Sequence, residues 1–123
     1  MILVDTSVWI DHLGSTNEIL TALMEREDAA THPFVIGEVA MGYVRQRDLV
    51  ISELRKLPRV RIVRDEDVMP MVERHRLFGT GIGYIDAHLL AAALFADGVT
   101  LWTHDRRLRA AAGRLGVAAY PVN

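Results

Sequence analysis

The chain has 123 residues, half of them hydrophobic, with no cysteine and a net charge of −2 at pH 7. This length predicts one domain over residues 1–123 with a full apolar core. The lack of cysteine excludes disulfides and thiolate metal sites, and the slight negative charge excludes a strongly basic nucleic-acid-binding protein. No apolar run reaches the length of a membrane span, and the N-terminus lacks a signal-peptide pattern, so we expect a cytoplasmic protein that binds no membrane.

Short apolar runs alternate with helix-like patterns along the whole chain. The sequence predicts strands at 2–5, 29–32, 60–63, 99–103 and near 117–122. It predicts helices from Thr6 or Ser7 to about Leu13, at 18–26, 33–44, 49–57, 84–96 and 106–115, and one beginning at Asp65. This alternation indicates an α/β fold with a parallel sheet flanked by helices.

Two of the predicted strands run directly into an aspartate. MILVD ends at Asp5, and VTLWTHD ends at Asp105. Strands that are apolar on both faces lie inside parallel sheets, where ligands bind beyond the carboxyl ends of the strands. If these strands are neighbours, about 4.8 Å apart, the two carboxylates repel each other unless a cation lies between them. The pattern therefore suggests a metal site.

Two further acids lie in apolar surroundings. Glu38 is part of the otherwise apolar helix PFVIGEVAMGYV, and Asp86 is in the first turn of YIDAHLLAAALFA. A buried carboxylate is costly unless it is paired or binds a metal. Carboxylate oxygens suit Mg²⁺ and Mn²⁺, which can activate a water for attack on a phosphodiester. The structural alternatives are that Asp5 caps the helix after it, Asp86 satisfies its own helix terminus, and Glu38 pairs with an arginine.

Four segments together resemble the PIN-domain ribonucleases, specifically the VapC toxins of VapBC type II toxin–antitoxin modules. These segments are MILVDTSVWIDHL, FVIGEVAMG, GIGYIDAHLLAAAL and LWTHDRRL. They follow the order and spacing of the family and span nearly the whole chain. The resemblance implies a single PIN domain with a sheet of roughly five parallel strands flanked by helices. It also implies an endoribonuclease that depends on one or two Mg²⁺ or Mn²⁺ ions.

Carried over position by position, the resemblance implies catalytic and metal-binding roles for Asp5, Glu38, Asp86 and Asp105, hereafter the four acids. It implies supporting hydroxyls at Thr6 or Ser7 and at Thr103. The implied partners are an RNA substrate, a VapB-like antitoxin and a second copy of the chain in a homodimer. An apolar anchor for the antitoxin is expected beside the site, at Trp9, Ile10 and Leu13.

Other functions fit the sequence less well. A phosphatase of the haloacid dehalogenase type needs a second aspartate two residues after the first, where this chain has Ser7, and a distant lysine. The sole lysine, Lys56, lies in a charged helix, and no P-loop motif occurs. The remaining alternative is a PIN-like module that binds RNA or protein without cutting.

Several other residues have two interpretations each. His88 and His104 are interpreted as structural or surface residues, whereas His32 ends a predicted strand and could face the cleft. Basic residues are concentrated between positions 45 and 64 and again after Asp105, where they could hold RNA phosphates or form an ordinary solvated surface. The glycine-rich loop 79–83 is interpreted as a flexible entry to the helix of Asp86.

Overall fold

The strand Ile2–Val4 (β1) lies at the centre of a parallel sheet in the computed structural model, which describes residues 1–120. It pairs with Ala29–Ala30 (β2) on one side and Thr100–Trp102 (β3) on the other, so the order is β2-β1-β3. Leu3 and Val4 are fully buried, as expected for the central strand of a sheet that is covered on both faces. The predicted α/β fold is confirmed, and the strands before the two aspartates are neighbours.

The expected number of about five strands is wrong, because residues 1–120 form three. The predicted strand at 60–63 is reduced to one parallel bridge at Arg59, beside β2. The strand β2, which could pair with this segment, has only two residues because the chain enters a helix at Pro33. It is therefore too short to form a longer ladder.

The predicted final strand near 117–122 is likewise reduced to one parallel bridge, between Ala118 and Leu101. Two backbone hydrogen bonds hold it, from the Leu101 N–H to the Val117 carbonyl and from the Ala119 N–H to the Leu101 carbonyl. The end of this predicted strand, at 121–122, lies outside the described residues.

All of the predicted helices form, with small differences at their ends. The bounds are Thr6–Gly14 (α1), Glu18–Glu25 (α2), Pro33–Met41 (α3), Arg47–Arg55 (α4), Asp65–Arg74 (α5), Tyr84–Leu94 (α6) and Arg106–Arg114 (α7). The third helix ends three residues before the predicted end, because Gly42 has an extended backbone with ψ of 171°. No helix of the described chain is long and apolar enough to cross a bilayer.

The middle of α6 is buried all round, as its apolar sequence predicted, whereas Tyr84 at its start is exposed. Every residue from Ala87 to Ala93 is buried, and Leu89 and Leu90 have no exposed surface. The helix packs against α5 and β3. Burying one leucine side chain stabilises a fold by about 1.5–3 kcal/mol, so this helix anchors the carboxyl edge of the sheet, where its first turn lies.

His32 is a buried structural residue and does not face a cleft. It caps α3, because its Nδ1 accepts a hydrogen bond of 3.0 Å from the Phe34 N–H. Its ring packs on Phe34, which in turn packs edge-on against His88. Burial, together with weaker repulsion from the nearby His88 and Arg59, lowers the pKa of His32 to about 4.

This burial predicts a loss of stability in mild acid. Between pH 6.5 and about 4 the unfolded chain protonates His32 but the folded chain does not, so the free energy of unfolding falls as the pH falls. His32→Asn keeps a side-chain acceptor for the cap and removes the titration. Urea unfolding at pH 7, 6, 5 and 4.5 should therefore give a shallower pH dependence for His32→Asn than for the wild type. Equal slopes would contradict this assignment.

Candidate functional site

Asp5 lies directly after β1 and is held by two hydroxyl groups. Its backbone N–H donates to the Trp102 carbonyl at 2.9 Å, which continues the pairing with β3 and brings Asp5 beside Thr103. The carboxylate Oδ2 accepts hydrogen bonds of 2.7 Å from the Thr103 hydroxyl and 2.6 Å from the Ser7 hydroxyl. Because Asp5 is only 5% exposed, these two bonds compensate for much of its lost hydration.

The buried Thr103 hydroxyl links the two aspartates at the strand ends. While it donates to Asp5, its oxygen accepts a hydrogen bond of 3.0 Å from the Asp105 N–H. Asp105 caps α7, since its Oδ1 accepts from the Arg107 and Leu108 N–H groups at 2.9 Å each. One hydroxyl therefore fixes both Asp5 and the backbone of Asp105.

Glu38 reaches the same edge of the sheet from α3. Its Oε1 accepts a hydrogen bond of 3.2 Å from the Thr6 hydroxyl, across the contact between α1 and α3. The sequence left open whether Thr6 or Ser7 supplies a supporting hydroxyl, and the structure uses both. Ser7 binds Asp5, and Thr6 binds Glu38.

Asp86 completes the group from the first turn of α6. Burial raises its pKa above the ordinary value, the hydrogen bond from the Gly83 N–H works against this rise, and the charges of Asp5, Asp105 and Glu38 add to it. Such repulsion requires that the carboxylates be close to one another. The fold therefore brings the four acids into one electrostatic neighbourhood.

Each of the four acids uses a single oxygen for its hydrogen bonds to the described chain. These oxygens are Oδ2 of Asp5, Oε1 of Glu38, Oδ2 of Asp86 and Oδ1 of Asp105. The alternatives that Asp5 caps α1 and that Asp86 satisfies the start of its own helix are therefore also correct. Each of these roles uses only one of the two carboxylate oxygens. One oxygen per acid is left for an external ligand.

The donor set fits a hard divalent cation. Carboxylate oxygens are the preferred ligands of Mg²⁺ and Mn²⁺, and a cation would offset the mutual repulsion of the four acids. Within residues 1–120 no group of three acid or histidine side chains is placed so that it could hold a metal ion by itself. Mg²⁺ does not need one, because it commonly keeps several waters and binds through one or two carboxylates.

The glycine-rich loop approaches α7 closely. Gly81 has a φ of +90°, and a Cβ atom there would lie 2.6 Å from Cδ of Arg107. The positive φ favours glycine at this position, and any larger residue would also force the flexible Arg107 side chain to move. The Arg109 guanidinium donates to the Thr103 carbonyl at 3.2 Å, so two arginines of α7 lie close to the acidic site.

Sequence reasoning missed one pair at the rim of the site. His104 Nδ1 lies 2.6 Å from Oδ2 of Asp11, and the His104 N–H donates to the Ser7 hydroxyl at 3.0 Å. No pattern in the sequence connects positions 11 and 104, which meet only because β1 and β3 are neighbours. His88, in contrast, is buried against Tyr84 as a structural residue, in agreement with its interpretation.

The expected apolar anchor on α1 needs one correction. Trp9 is only 4% exposed and belongs to the core, because α1 packs this side chain into the protein interior. Ile10 and Leu13 are 43% and 41% exposed, so they are the residues of this set that a partner can contact.

Known proteins resemble this chain over nearly its full length. The family model of the PIN domain matches residues 2–114, a range that contains all four acids. Ribonuclease VapC32 of Mycobacterium tuberculosis, strain CDC 1551 / Oshkosh, is 45% identical over 118 residues, which cover 96% of this chain and 95% of that protein. Ribonuclease VapC32 of strain ATCC 25618 / H37Rv matches with the same identity and coverage. The chain therefore belongs to the PIN-domain family, and within it to the VapC toxins.

Proposed function

We propose that this chain is the toxin of a type II toxin–antitoxin module and a metal-dependent endoribonuclease that hydrolyses RNA phosphodiester bonds. The observation that carries the proposal is the meeting of the four acids at the carboxyl edge of the sheet, each with one oxygen free of hydrogen bonds to the described chain. Both similar proteins are named as ribonucleases, which supports the same reaction class.

In this mechanism Asp5, Glu38, Asp86 and Asp105 would hold one or two Mg²⁺ or Mn²⁺ ions, which would supply activation of a water and stabilisation of the leaving oxygen. Hydrolysis would join the water oxygen to phosphorus and break the bond from phosphorus to the leaving ribose oxygen, and this oxygen would take up a proton as the water loses one. The chain contributes orientation, because hydrogen bonds to the second oxygen of each acid hold the carboxylates in place before substrate arrives.

Neutralising any one of the four acids should abolish most cleavage. Asp5→Asn, Glu38→Gln, Asp86→Asn and Asp105→Asn should each lower the rate constant for RNA cleavage by about 10²-fold or more, because preorganised electrostatic stabilisation is removed. A matched control is Asp97→Asn, an exposed aspartate beyond the opposite end of α6 from Asp86, which should retain activity. The measurement is cleavage of a labelled RNA with Mn²⁺ and with excess EDTA.

Two results would separate this proposal from its competitor. Full cleavage in EDTA or by Asp5→Asn would contradict metal-dependent hydrolysis by these acids. Binding of RNA or of a protein by the wild type, without any cleavage in Mg²⁺ or Mn²⁺, would favour the PIN-like binding module instead.

We propose that Thr103 is a positioning residue. Its hydroxyl orients Asp5 and Asp105 but would not touch the substrate. Partners that orient metal ligands in this way commonly contribute 10–100-fold to metal affinity or activity.

Removing this hydroxyl should therefore weaken metal binding as well as catalysis. Thr103→Val should raise the Kd for Mn²⁺ about 10-fold or more, measured by isothermal titration calorimetry, and lower kcat to a similar degree. Thr103→Ser keeps the hydroxyl and should restore both values towards those of the wild type. If valine and serine bind Mn²⁺ with equal affinity, the hydroxyl does not position the ligands.

We also propose that a VapB-like antitoxin neutralises the chain and that the chain forms a homodimer. Both proposals rest on the family. For the antitoxin, the structure adds an apolar surface beside the site. Ile10 and Leu13 line a cavity of about 490 Å³ together with Tyr43 and Val50. Leu13 and Val50 also line a second, mostly apolar cavity of about 500 Å³. Together these residues offer a continuous surface to an apolar segment of a partner.

A charge on this surface should weaken inhibition without affecting catalysis. Leu13→Asp should raise the antitoxin concentration needed for half-inhibition of RNA cleavage about 10-fold or more, because it desolvates a carboxylate against an apolar partner. Met69→Asp on α5 is the matched control, since Met69 is 46% exposed and lies on another helix. Coincident inhibition curves for wild type and Leu13→Asp would place the antitoxin elsewhere.

A further inference from the structure

A cavity of about 610 Å³ lies between α3 and α4, and its lining carries an excess of positive charge. Four cationic side chains contribute to the lining, against the single carboxylate of Asp48. The cations are those of Arg47, Arg55, Lys56 and Arg59. The whole chain has 16 acidic and 14 basic residues, so this local excess does not follow from the overall composition.

Two of these cations have no carboxylate partner. Arg47 is 3.4 Å from Asp48, and Lys56 is 3.1 Å from Glu53, both as exposed pairs of small energetic value. Arg55 and Arg59 form no ion pair within residues 1–120. Both are exposed, so their guanidinium groups can contact an incoming anion without first leaving a partner.

The cavity and the acidic site share the helix α3. Gly37 lines the cavity, and the next residue, Glu38, accepts the hydrogen bond from Thr6 at the acidic site. The α3 residues that line the cavity are Pro33, Ile36, Gly37 and Ala40. At about 100° per residue they lie on nearly the opposite face of α3 from Glu38, and a helix with its side chains is about 10–12 Å across. The cationic cavity therefore lies roughly one helix diameter from the Glu38 carboxylate, within reach of the same short RNA strand.

We propose that this cavity binds phosphate groups of the RNA substrate on one side of the bond that is cut, through Arg55 and Arg59. The proposal rests on the proposed function, because it assumes that RNA is bound at the four acids. A nucleic-acid strand carries one negative charge per nucleotide, and arginine forks bind phosphate oxygens in pairs. A contact of this kind positions the strand without selecting its sequence. Because Arg55 and Arg59 lie away from the four acids, they would not compete with a metal ion bound there.

The test compares Arg55→Gln/Arg59→Gln with the wild type in two assays. The first is cleavage of a short single-stranded RNA, in which KM should rise about 10-fold while kcat stays within twofold. The second is binding of the same labelled RNA by fluorescence anisotropy, with both proteins carrying Asp5→Asn to prevent cleavage. In the plot of log Kd against log salt concentration, the slope should fall by about 0.7 for each phosphate contact removed.

Arg26→Gln is the matched control. Arg26 follows α2 and precedes β2, so it lies at the edge where the strands begin, opposite the four acids. This variant should leave KM and the salt slope unchanged. If circular dichroism shows that the double variant does not fold, two single variants of the exposed Arg55 replace it. Arg55→Glu should then raise the Kd for RNA more than Arg55→Gln does.

The outcomes separate this inference from the proposed function. A wild type that cleaves RNA, with KM and salt slope unchanged in the double variant, would overturn the cationic cavity alone. If the double variant loses binding of inorganic phosphate but keeps its affinity for RNA, the cavity is a site for small free anions. This result would also overturn the proposed RNA phosphate site. Weaker antitoxin binding with unchanged RNA affinity would assign the cavity to the protein partner. A wild type without any RNA cleavage would refute the proposed function itself, whatever the binding assay shows.

Discussion

The parallel pairing of β1 with β3 is the constraint on which the site depends. Because Val4 lies opposite Trp102, the chain leaves both strands at the same height, and Asp5 emerges beside Thr103. A shift of one residue in this register would turn the Thr103 side chain to the other face of the sheet and remove it from Asp5. Within residues 1–120, three strands of two or three residues suffice, since the sheet only has to bring helix starts together at one edge.

The site holds several negative charges together at an energetic cost, which backbone groups partly offset. Asp5, Asp86 and Asp105 each accept N–H groups at the start of a helix, where the helix dipole favours negative charge. This arrangement does not remove the repulsion: burial raises the pKa of Asp86 most, and the charges of Asp5, Asp105 and Glu38 raise it further. In the proposed mechanism, one oxygen of each carboxylate accepts hydrogen bonds that stabilise the fold and the other would serve the metal, so a substitution that removes the charge can still keep the cap.

Much of the site could be predicted from sequence, because its residues follow local rules. Asp5 and Asp105 end apolar strands, and Asp86 and Glu38 interrupt apolar helices, so each is unusual within its own segment. These signals do not depend on knowing which segments are neighbours. The helices were predictable for the same reason, because the periodicity of apolar residues and the capping residues are local features of the sequence.

The features that sequence reasoning missed depend on tertiary packing. The predicted strand at 60–63 fails because β2 is too short to pair with it, and that length is set by the entry into α3. Trp9 and Ile10 are adjacent, large and apolar, yet the orientation of α1 buries one and exposes the other. The pair of Asp11 and His104 joins residues far apart in the chain, which no local pattern specifies.

The burial of α6 from Ala87 to Ala93 has a consequence for the motions of the site. A helix segment buried on every side cannot separate from the core without exposing most of it, so the amide hydrogens of this segment exchange with solvent only in near-global opening events. The helix α3, which presents Glu38, is exposed along one side and ends at Gly42. Helices with such an exposed side open locally at lower free energy. The site is thus carried in part by two helices that open on different timescales, with Asp86 at the start of the slower helix and Glu38 on the faster one.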